Sequence, residues 1–267
     1  MAELDDWTCE FNGLVMGRPD SAISLVSVDG LLSMPDLRTA DLTLVQRHGL
    51  YPGDDYMNGR TVTLTLEVYG STREEFAAAL SAVYAAFRPT LPERALRFRF
   101  PGIAGDRTAF VNVRTRKRSA PLDLNFAYRV CNVVVELFAT DPYIYGDALT
   151  TYTLSAPWQG SDPKLRFSQA GSVPALPVIK LTNAKDCVIT DEITGLWFGM
   201  TNLAGGLTID SPAQALTATA SGNNFNDRIK AGSTWPEFAF GDHRLSMTTL
   251  AVNSPTTAEI TWRNRWV

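Results

Sequence analysis

The chain has 267 residues, 45% of them hydrophobic, which is enough apolar material for one large β domain or two ordinary ones. Its formal net charge of −4 argues against a dedicated nucleic-acid-binding protein, because such proteins carry an excess of Lys and Arg that neutralises phosphates. The three cysteines are far apart and form no C-x-x-C pair, which predicts reduced, buried thiols rather than a disulfide framework or a zinc site.

The chain shows no targeting or membrane-spanning pattern. Its first residues, MAELDDW, are acidic and contain neither a basic segment nor an apolar run, so no signal peptide is expected. The longest charge-free stretch, TGLWFGMTNLAGGLTI, is interrupted by glycines and alternates as strands do. We therefore expect a soluble protein, made in the cytoplasm, that does not insert into membranes.

The first part of the chain combines strand candidates with a long polar segment. WTCEFNGL and ISLVSVDGLL are strand candidates, and a stretch rich in Asp, Gly and Pro follows from Met34 to Asn58. A loop of this length in a compact domain is either functional or held by a partner.

The segment NGRTVTLTLEVYGSTREEFAAAL changes periodicity halfway. Its first half alternates apolar and polar residues, the pattern of a half-buried strand, with the apolar positions at Val62, Leu64, Leu66 and Val68. Ser71-Thr72-Arg73-Glu74 then has the form of a capping box, which predicts a helix start. The helix is expected to end at Arg88-Pro89 and to bury one face, formed by Phe76, Leu80, Val83 and Phe87.

The remaining segments are typical of strands and turns. ALRFRF and TAFVNVRTRKR alternate, and YRVCNVVVELFA is apolar on both faces, which predicts a central strand covered on both sides. A passage rich in Pro, Gly and Ser at residues 154–177 suggests a domain junction. Regularly spaced strands follow, which favours a β-sandwich. The predicted fold class is mainly β with one prominent α-helix.

No catalytic motif is found in the sequence. It contains no G-x-S-x-G, P-loop, G-x-G-x-x-G or H-E-x-x-H pattern, and the two histidines, His48 and His243, lie in different halves. The adjacent residues Asp54 and Asp55 follow Pro-Gly and fit turn chemistry better than cation binding. We therefore predict no enzymatic activity, no metal and no cofactor.

Basic residues concentrate on two predicted strands and the turn that follows, at Arg94, Arg97, Arg99, Arg114, Arg116, Lys117 and Arg118. They could form an anion-binding or nucleic-acid-binding surface, but no aromatic residues interleave with them as stacking platforms would. We favour a solvated or subunit-facing sheet surface, and the interface candidates are Arg97, Arg99, Arg114 and Arg116.

Aromatic residues collect in the second half of the chain. Exposed aromatic rings of a sandwich could stack on sugars, and the candidates for such a site are Trp197, Trp235 and Trp262. Apolar alternation in GLWFGM and ITWRNRW predicts core positions equally well. A carbohydrate-binding module is therefore the alternative function, and packing is the expected role of most of these residues.

Several ordered segments together resemble the distal tail proteins (Dit) of long-tailed bacteriophages. They are GDDYMNGR leading into TVTLTLEVYGSTREEFAAAL, the aspartate-proline-aromatic sequence LFATDPYIYGD, the entry AGSVPALPVIKLTN, and the late turns GLTIDSPAQAL and STWPEFAFGDHRLSM. The sequence has no long insertion in its second half, where some members of the family carry a carbohydrate-binding module.

The resemblance implies a tail-tube-like split β-barrel with a flanking helix at residues 1–146 and a galectin-like β-sandwich at residues 147–267. It also implies a structural virion protein at the tail tip that forms a hexameric ring. The implied partners are further copies of the chain, the tail tube protein, and the tail-tip hub and tape-measure proteins. DNA would only pass through the channel. The helix would then seal the core of an open barrel.

Overall fold

The computed structural model describes residues 3–89, 92–156, 164–251 and 255–267. These residues group into two compact units, one ending at Asp147 and including Val267, the other running from Ala148 to Trp266. Each unit consists mainly of β-strands, so the predicted fold class, mainly β with one prominent helix, is confirmed.

The first unit contains twelve strands and two helices within the described residues. The strands are β1 (Thr8–Phe11), β2 (Leu14–Met16), β3 (Ile23–Asp29), β4 (Leu37–Arg38), β5 (Leu42–Thr43), β6 (Leu50–Tyr51), β7 (Tyr56–Met57), β8 (Arg60–Tyr69), β9 (Arg94–Arg99), β10 (Ala109–Ser119), β11 (Val130–Ala139) and β12 (Ile144–Gly146). The helices are α1 (Arg73–Ala86) and the short α2 (Leu124–Ala127).

Strand β10 joins two sets of paired strands. The order of the main sheet is β2-β1-β9-β10-β11-β8-β3, with β12 also paired to β10. Residues 109–113 of β10 pair with β9, whereas residues 114–119 pair with β11, and the register shifts between Thr115 and Lys117. Among the described residues no ladder closes this sheet into a barrel, since β2 and β3 stay at its two ends.

The alternation predicted for β8 is present, because its apolar positions from Val62 to Val68 are fully buried. The prediction for β11 was only partly correct. β11 is central in the pairing order, between β10 and β8, but it is not covered on both sides within this chain. Its alternate positions Asn132, Val134 and Glu136 are exposed, so one face of the strand remains open.

Helix α1 begins one residue later than the sequence pattern suggests. Thr72 is the N-cap, and its hydroxyl accepts a hydrogen bond from the backbone N–H of Glu75, while the Glu75 carboxylate accepts from the Thr72 N–H. Ser71 supports the cap by donating its backbone N–H to the same carboxylate at 3.0 Å. These bonds lower the pKa of Glu75, the side-chain bond from Ser71 contributing most.

The buried face of α1 is also rotated from the predicted one. Phe76, Val83 and Phe87 are buried as expected, but Leu80 is only half-buried, and two alanines, Ala79 and Ala86, complete the face. The helix lies against β8 and β2. Close ring contacts fix its two ends, with Phe87 stacked on Phe11 at 5.2 Å and Phe76 edge-on to Phe126 at 5.1 Å.

We expect Val83→Ala to lower the free energy of unfolding by about 2 kcal/mol, because two fully buried methyl groups are lost and a cavity remains. Leu80→Ala should cost about 1 kcal/mol or less, since Leu80 is only half-buried. Urea unfolding of both variants measures the difference. A larger loss for Leu80→Ala than for Val83→Ala would mean that the helix buries the other face.

The second unit contains ten strands and one turn of 3₁₀ helix within the described residues. The strands are β13 (Thr150–Ala156), β14 (Lys164–Gln169), β15 (Val178–Lys185), β16 (Val188–Asp191), β17 (Trp197–Gly199), β18 (Ala204–Asp210), β19 (Ala215–Ala218), β20 (Gly241–Thr248), β21 (Thr256–Trp262) and β22 (Arg265–Trp266). The 3₁₀ turn is Asn226–Arg228.

Two sheets of the second unit share one core. One sheet has the order β13-β21-β15-β18-β19 and the other the order β14-β20-β16-β17. Ile179 and Ile260 of the first sheet belong to the same buried cluster as Phe198 and Leu245 of the second. This arrangement agrees with the sandwich that the strand spacing predicts.

Residues 154–177 do not separate the two units, contrary to the junction suggested by their composition. The end of β13 and all of β14 fall in this segment, and both strands pair with strands of the second unit. Residues 157–163 of the segment lie outside the described residues. The change from one unit to the other comes earlier, between Asp147 and Ala148.

All three cysteines are free and buried. Burial raises the pKa of Cys9 and of Cys187 to about 12, and burial together with Asp123 raises the pKa of Cys131. Within the described residues, no helix combines the length and the apolar character needed to cross a membrane.

Candidate assembly surface

The second half of β10 carries a row of basic side chains that we call the basic strip: Arg114, Arg116, Lys117 and Arg118. The last three are exposed and Arg114 is half-buried. Among the described residues none of the four takes part in an ion pair. The Arg114 Nε atom is buried and has no hydrogen-bond partner there either. Within the described part of the chain the strip is therefore a concentration of positive charge without an ion pair, and its nearest carboxylate across the β10–β11 ladder is Glu136, opposite Lys117.

Two arginines of the strip are held by aromatic rings. The Arg116 guanidinium lies 5.0 Å from the centre of the Phe138 ring, and that of Arg118 lies 4.0 Å from the centre of the Tyr84 ring. Arg118 also donates to the backbone oxygen of Tyr84 at 3.0 Å. A guanidinium stacked in this way keeps N–H donors at its edge for a carboxylate, and its position is already restricted.

Arg97, the first interface candidate, is placed differently. It is buried and pairs within its own chain, with Glu10 at 2.5 Å and with Asp147 at 2.7 Å. The hydrogen bond to Asp147 and, secondarily, that to Glu10 raise the pKa of Arg97 against the effect of burial. Because its charge is matched inside the first unit, we do not include Arg97 in the interface proposed below.

Arg99, the second candidate, also has partners in its own chain. It is half-buried and lies 2.9 Å from Asp6 and 3.3 Å from Glu3, and both of these carboxylates are exposed. It also donates to the backbone oxygen of Leu4 at 3.2 Å. Arg99 therefore connects the residues before β1 to β9. Its charge is paired within the described residues, unlike the charges of the basic strip.

The long polar stretch predicted from Met34 to Asn58 forms an exposed hairpin, which we call the hairpin segment. It contains two short ladders, β4 with β7 and β5 with β6. Almost all of its side chains are exposed, including large apolar ones at Met34, Leu37, Leu42, Val45, Leu50, Tyr51 and Tyr56. A segment with so little internal pairing and so much exposed apolar surface is expected to bind a partner.

The base of the hairpin segment is held by a buried arginine that the sequence analysis missed. Arg60 is fully buried, and its Nη1 donates to three backbone oxygens, those of Gly30, Leu31 and Ser33. Its Nε donates to the Pro142 oxygen at 2.8 Å. Burial lowers the pKa of Arg60. Arg60 thus links the residues just before the hairpin segment to those just after it.

The three tryptophans of the alternative carbohydrate site differ in exposure. Trp262 is 2% exposed and lies in the core of the second unit, 4.7 Å from Phe167 between ring centres. Trp235 and Trp197 are half-buried, and Trp235 lies 4.9 Å from Phe198. A sugar would have to approach Trp197 and Trp235, because the Trp262 ring is not accessible.

His243 and Asp191 form a buried pair in the second unit. His243 Nδ1 lies 2.6 Å from the Asp191 carboxylate, and Nε2 lies 2.8 Å from the Ala239 oxygen. Both partners of the ring are oxygen acceptors, and a neutral imidazole has a single N–H to donate. The two contacts are therefore hydrogen bonds at the same time only when each ring nitrogen carries a proton. With Nε2 bound to a backbone oxygen, the pair lacks the free nitrogen that a general base needs.

The Asp191 carboxylate is further stabilised by its surroundings. Burial alone raises the pKa of Asp191, but hydrogen bonds from His243, from the backbone of Ile193 and Arg244, and from the Thr194 hydroxyl together lower it below its ordinary value. These hydrogen bonds to Asp191 therefore stabilise the folded state fully above the unfolded-state pKa of the carboxyl, which is about 4. The stabilisation is lost as the pH falls toward the lower folded-state pKa.

We expect Asp191→Asn to lower the free energy of unfolding by about 2 kcal/mol at pH 7, because several hydrogen bonds to a charged group are weakened. At pH 3 the difference from the wild type should shrink, since the Asp191 carboxyl of the unfolded chain then binds a proton and the lowered folded-state pKa contributes less stability. Denaturant unfolding at both pH values measures this, with the exposed Asp242→Asn as control. An equal loss at both pH values would show that the charge of Asp191 does not contribute to stability.

A search of solved structures shows what this architecture is similar to. SPP1 Dit (gp 19.1), a hub protein of the adsorption apparatus of phages that infect Gram-positive bacteria, superposes with a TM-score of 0.63. The match covers 96% of this chain and 98% of that one, at 12% sequence identity. The chain has the Dit fold. The resemblance to Dit indicated by the sequence is thus confirmed at the level of the fold.

Two baseplate structures match with lower scores than SPP1 Dit. The phage P2 baseplate in its activated conformation with Ca covers 99% of this chain and 98% of its own at 7% identity and a TM-score of 0.47. The phage p2 baseplate with Sr covers 96% and 97% at 9% identity and a TM-score of 0.48. No protein-family model matches the chain, and no curated protein does so.

Proposed function

We propose that this protein is a structural component of a bacteriophage tail tip, where it forms a hexameric ring that joins the tail tube to the tail-tip hub. The observation that supports this most is the Dit fold over nearly the whole chain. β-Sandwiches alone occur in many unrelated proteins, so one matched unit would carry little weight. Here both units match the same SPP1 Dit chain, and 98% of that chain is covered.

The architecture proposed for the two units is a split β-barrel followed by a galectin-like sandwich. Pairing of one half of β10 with β9 and of the other half with β11 supports the split barrel. Helix α1, with its apolar face on β8 and β2, would cover the core of that open barrel. Two sheets around one core support the sandwich. We place the division between the two domains after Asp147, one residue beyond the division into residues 1–146 and 147–267 that the resemblance implies.

The proposed partners are neighbouring copies of the chain, the tail tube protein, and the tail-tip hub and tape-measure proteins. DNA would be in transit only, and the protein would reside at the tail tip of the virion. Duplex DNA carries about one negative charge per ~1.7 Å of axis, so a basic channel wall would retain it. We therefore orient the basic strip away from the channel, toward a neighbouring subunit.

Native mass spectrometry and negative-stain microscopy of the purified protein test this function. The expected result is a ring of six 29.3 kDa chains with a central opening. A protein that stays monomeric at every accessible concentration, alone and with its tail tube protein, would overturn the ring. Saturable binding of cell-wall glycans by such a monomer would favour the carbohydrate-binding alternative.

A further inference from the structure

The four-stranded sheet of the second unit has one face in the core and one face open. Buried and accessible positions alternate along β14, β16 and β20, and Phe167, Ile189 and Leu245 belong to the core. The positions between them form a surface that we call the outer face. It includes Arg166, Thr190, Trp197, Asp242, Arg244 and Ser246.

Strand pairing places four side chains in one row across this sheet. Ser246 is opposite Lys164 on one side and Thr190 on the other, and Thr190 is opposite Trp197. Directly paired residues point to the same face. Because neighbouring strands lie about 4.8 Å apart, the row runs about 14 Å from β14 to β17. It presents an ammonium group, two hydroxyls and an indole in succession.

One end of the outer face is a depression of about 400 Å³, lined by Arg166, Asp242, Arg244 and Ile193 among others. Ligand-binding pockets of proteins have this size. Arg166 and Arg244 are directly opposite in the β14–β20 ladder, where two like charges oppose folding. Arg244 is balanced by Glu192, whose carboxylate lies 2.5 Å from the Arg244 Nε. The Arg166 charge therefore calls for a role other than stability.

The depression offers an unused donor and an unused acceptor. Among the described residues, the Arg166 guanidinium and the Asp242 carboxylate take part in no ion pair and no side-chain hydrogen bond, and both are exposed. A simple anion would be attracted by Arg166 but repelled by Asp242. Hydroxyl groups satisfy both residues, because a hydroxyl donates to a carboxylate and accepts from a guanidinium.

Trp197 supplies an aromatic surface at the other end of the row. Its ring is half-buried, and a Cβ atom added at Gly199 would come 3.1 Å from the ring. Gly199 is two positions further along β17 and thus on the same face, so the indole lies along the outer face. An indole offers an apolar ring face to the C–H groups of a ligand, while polar neighbours bind its hydroxyls.

We propose that the outer face binds an oligosaccharide, with one sugar in the depression between Arg166 and Asp242 and another stacked on Trp197. Ser246 and Thr190 would bind hydroxyls of the sugars between these two ends. The other two tryptophans considered as sugar-binding candidates pack in or against the core and take no part. The site does not depend on the proposed ring, because all of its residues belong to the second unit of a single chain.

A glycan array of hexasaccharides built from glucose, galactose, mannose and N-acetylglucosamine tests the proposal with the full chain. At least one hexasaccharide should bind, and calorimetric titration of that hexasaccharide gives its affinity. Arg166→Ala and Asp242→Ala should each weaken the binding roughly tenfold or more, because each removes hydrogen bonds to a charged group. Lys180→Ala, at an exposed position of the other sheet, should leave the affinity unchanged.

The length of the oligosaccharide tests the two ends separately. Trp197→Ala should also weaken hexasaccharide binding roughly tenfold or more, because the stacking surface is lost. The corresponding disaccharide is shorter than the row and occupies one end, so its affinity should respond to Arg166→Ala or to Trp197→Ala but not to both. Circular dichroism shows whether each variant is folded. If Trp197→Ala does not fold, the exposed Arg166 and Asp242 variants decide.

Three outcomes would overturn the oligosaccharide site. One is an array without a bound hexasaccharide, and another is binding that Arg166→Ala and Asp242→Ala both leave unchanged. The third is poly-L-glutamate that binds more tightly than every hexasaccharide and is lost in Arg166→Ala, since this result would assign the depression to an acidic peptide. Rings that bind no hexasaccharide overturn this site alone, whereas hexasaccharide binding without rings overturns the ring alone.

Discussion

Replacing Trp262 with alanine is expected to lower the free energy of unfolding of the second unit by about 3–5 kcal/mol. Trp262 is 2% exposed, and its ring lies 4.7 Å from that of Phe167 and 5.0 Å from that of Phe238. Truncation removes the largest side chain of this cluster and leaves a cavity that the paired strands β13 and β21 cannot close. The indole N–H also loses its bond to Asn264.

Trp235→Ala is the matched control for this experiment. Trp235 is half-buried and packs at the edge of the same core, so its removal should cost clearly less than that of Trp262. Guanidinium unfolding followed by circular dichroism measures both variants. Equal losses, or a stable Trp262→Ala protein, would show that the Trp262 position is not central to the core.

Replacing Arg97 with methionine is expected to lower the free energy of unfolding by about 3–5 kcal/mol as well. The guanidinium is buried between Glu10 and Asp147, and removing it leaves two carboxylates close together with no positive charge between them. Methionine is similar in length and apolar, so the loss reports on charge rather than on volume. Denaturant unfolding of the first unit measures it.

Two further variants make the result specific to the buried pair. Arg99→Met should cost less than about 1 kcal/mol, because the carboxylates around Arg99 are exposed and screened. Asp147→Asn should be costly in the wild type and nearly neutral, or stabilising, in the Arg97→Met background. Additive losses from Arg97→Met and Asp147→Asn would mean that the two side chains are not coupled.

Periodicity predicted the elements of the first unit well where apolar residues mark one face. Val62, Leu64 and Leu66 lie on a single buried face of β8, and the sequence shows it directly. On α1 the predicted buried face is rotated from the observed one, because Leu80 contributes more to a hydrophobic pattern than Ala79 does. The structure buries Ala79, since its small side chain lets the helix approach the sheet closely.

Long-range pairing was the part of the structure that the sequence did not reveal. Arg97 alternates with apolar residues and was therefore assigned to a surface, yet its partners are 87 and 50 residues away along the chain. Strand β14 was missed because its six residues lie among Pro, Gly and Ser, and only its pairing with β20 defines it. Arg60 has four backbone acceptors from distant turns, which no local pattern indicates.

The three buried thiols make the wild-type chain a convenient background for chemical labelling. Thiolate is the form that reacts with maleimides and with disulfide reagents, and a pKa of about 12 at Cys9 and Cys187 keeps the thiolate fraction very small at neutral pH. A cysteine placed at the exposed position of Asp54 would therefore react far faster than the native ones. A fluorophore at that site would report whether the hairpin segment becomes shielded from solvent when the protein assembles.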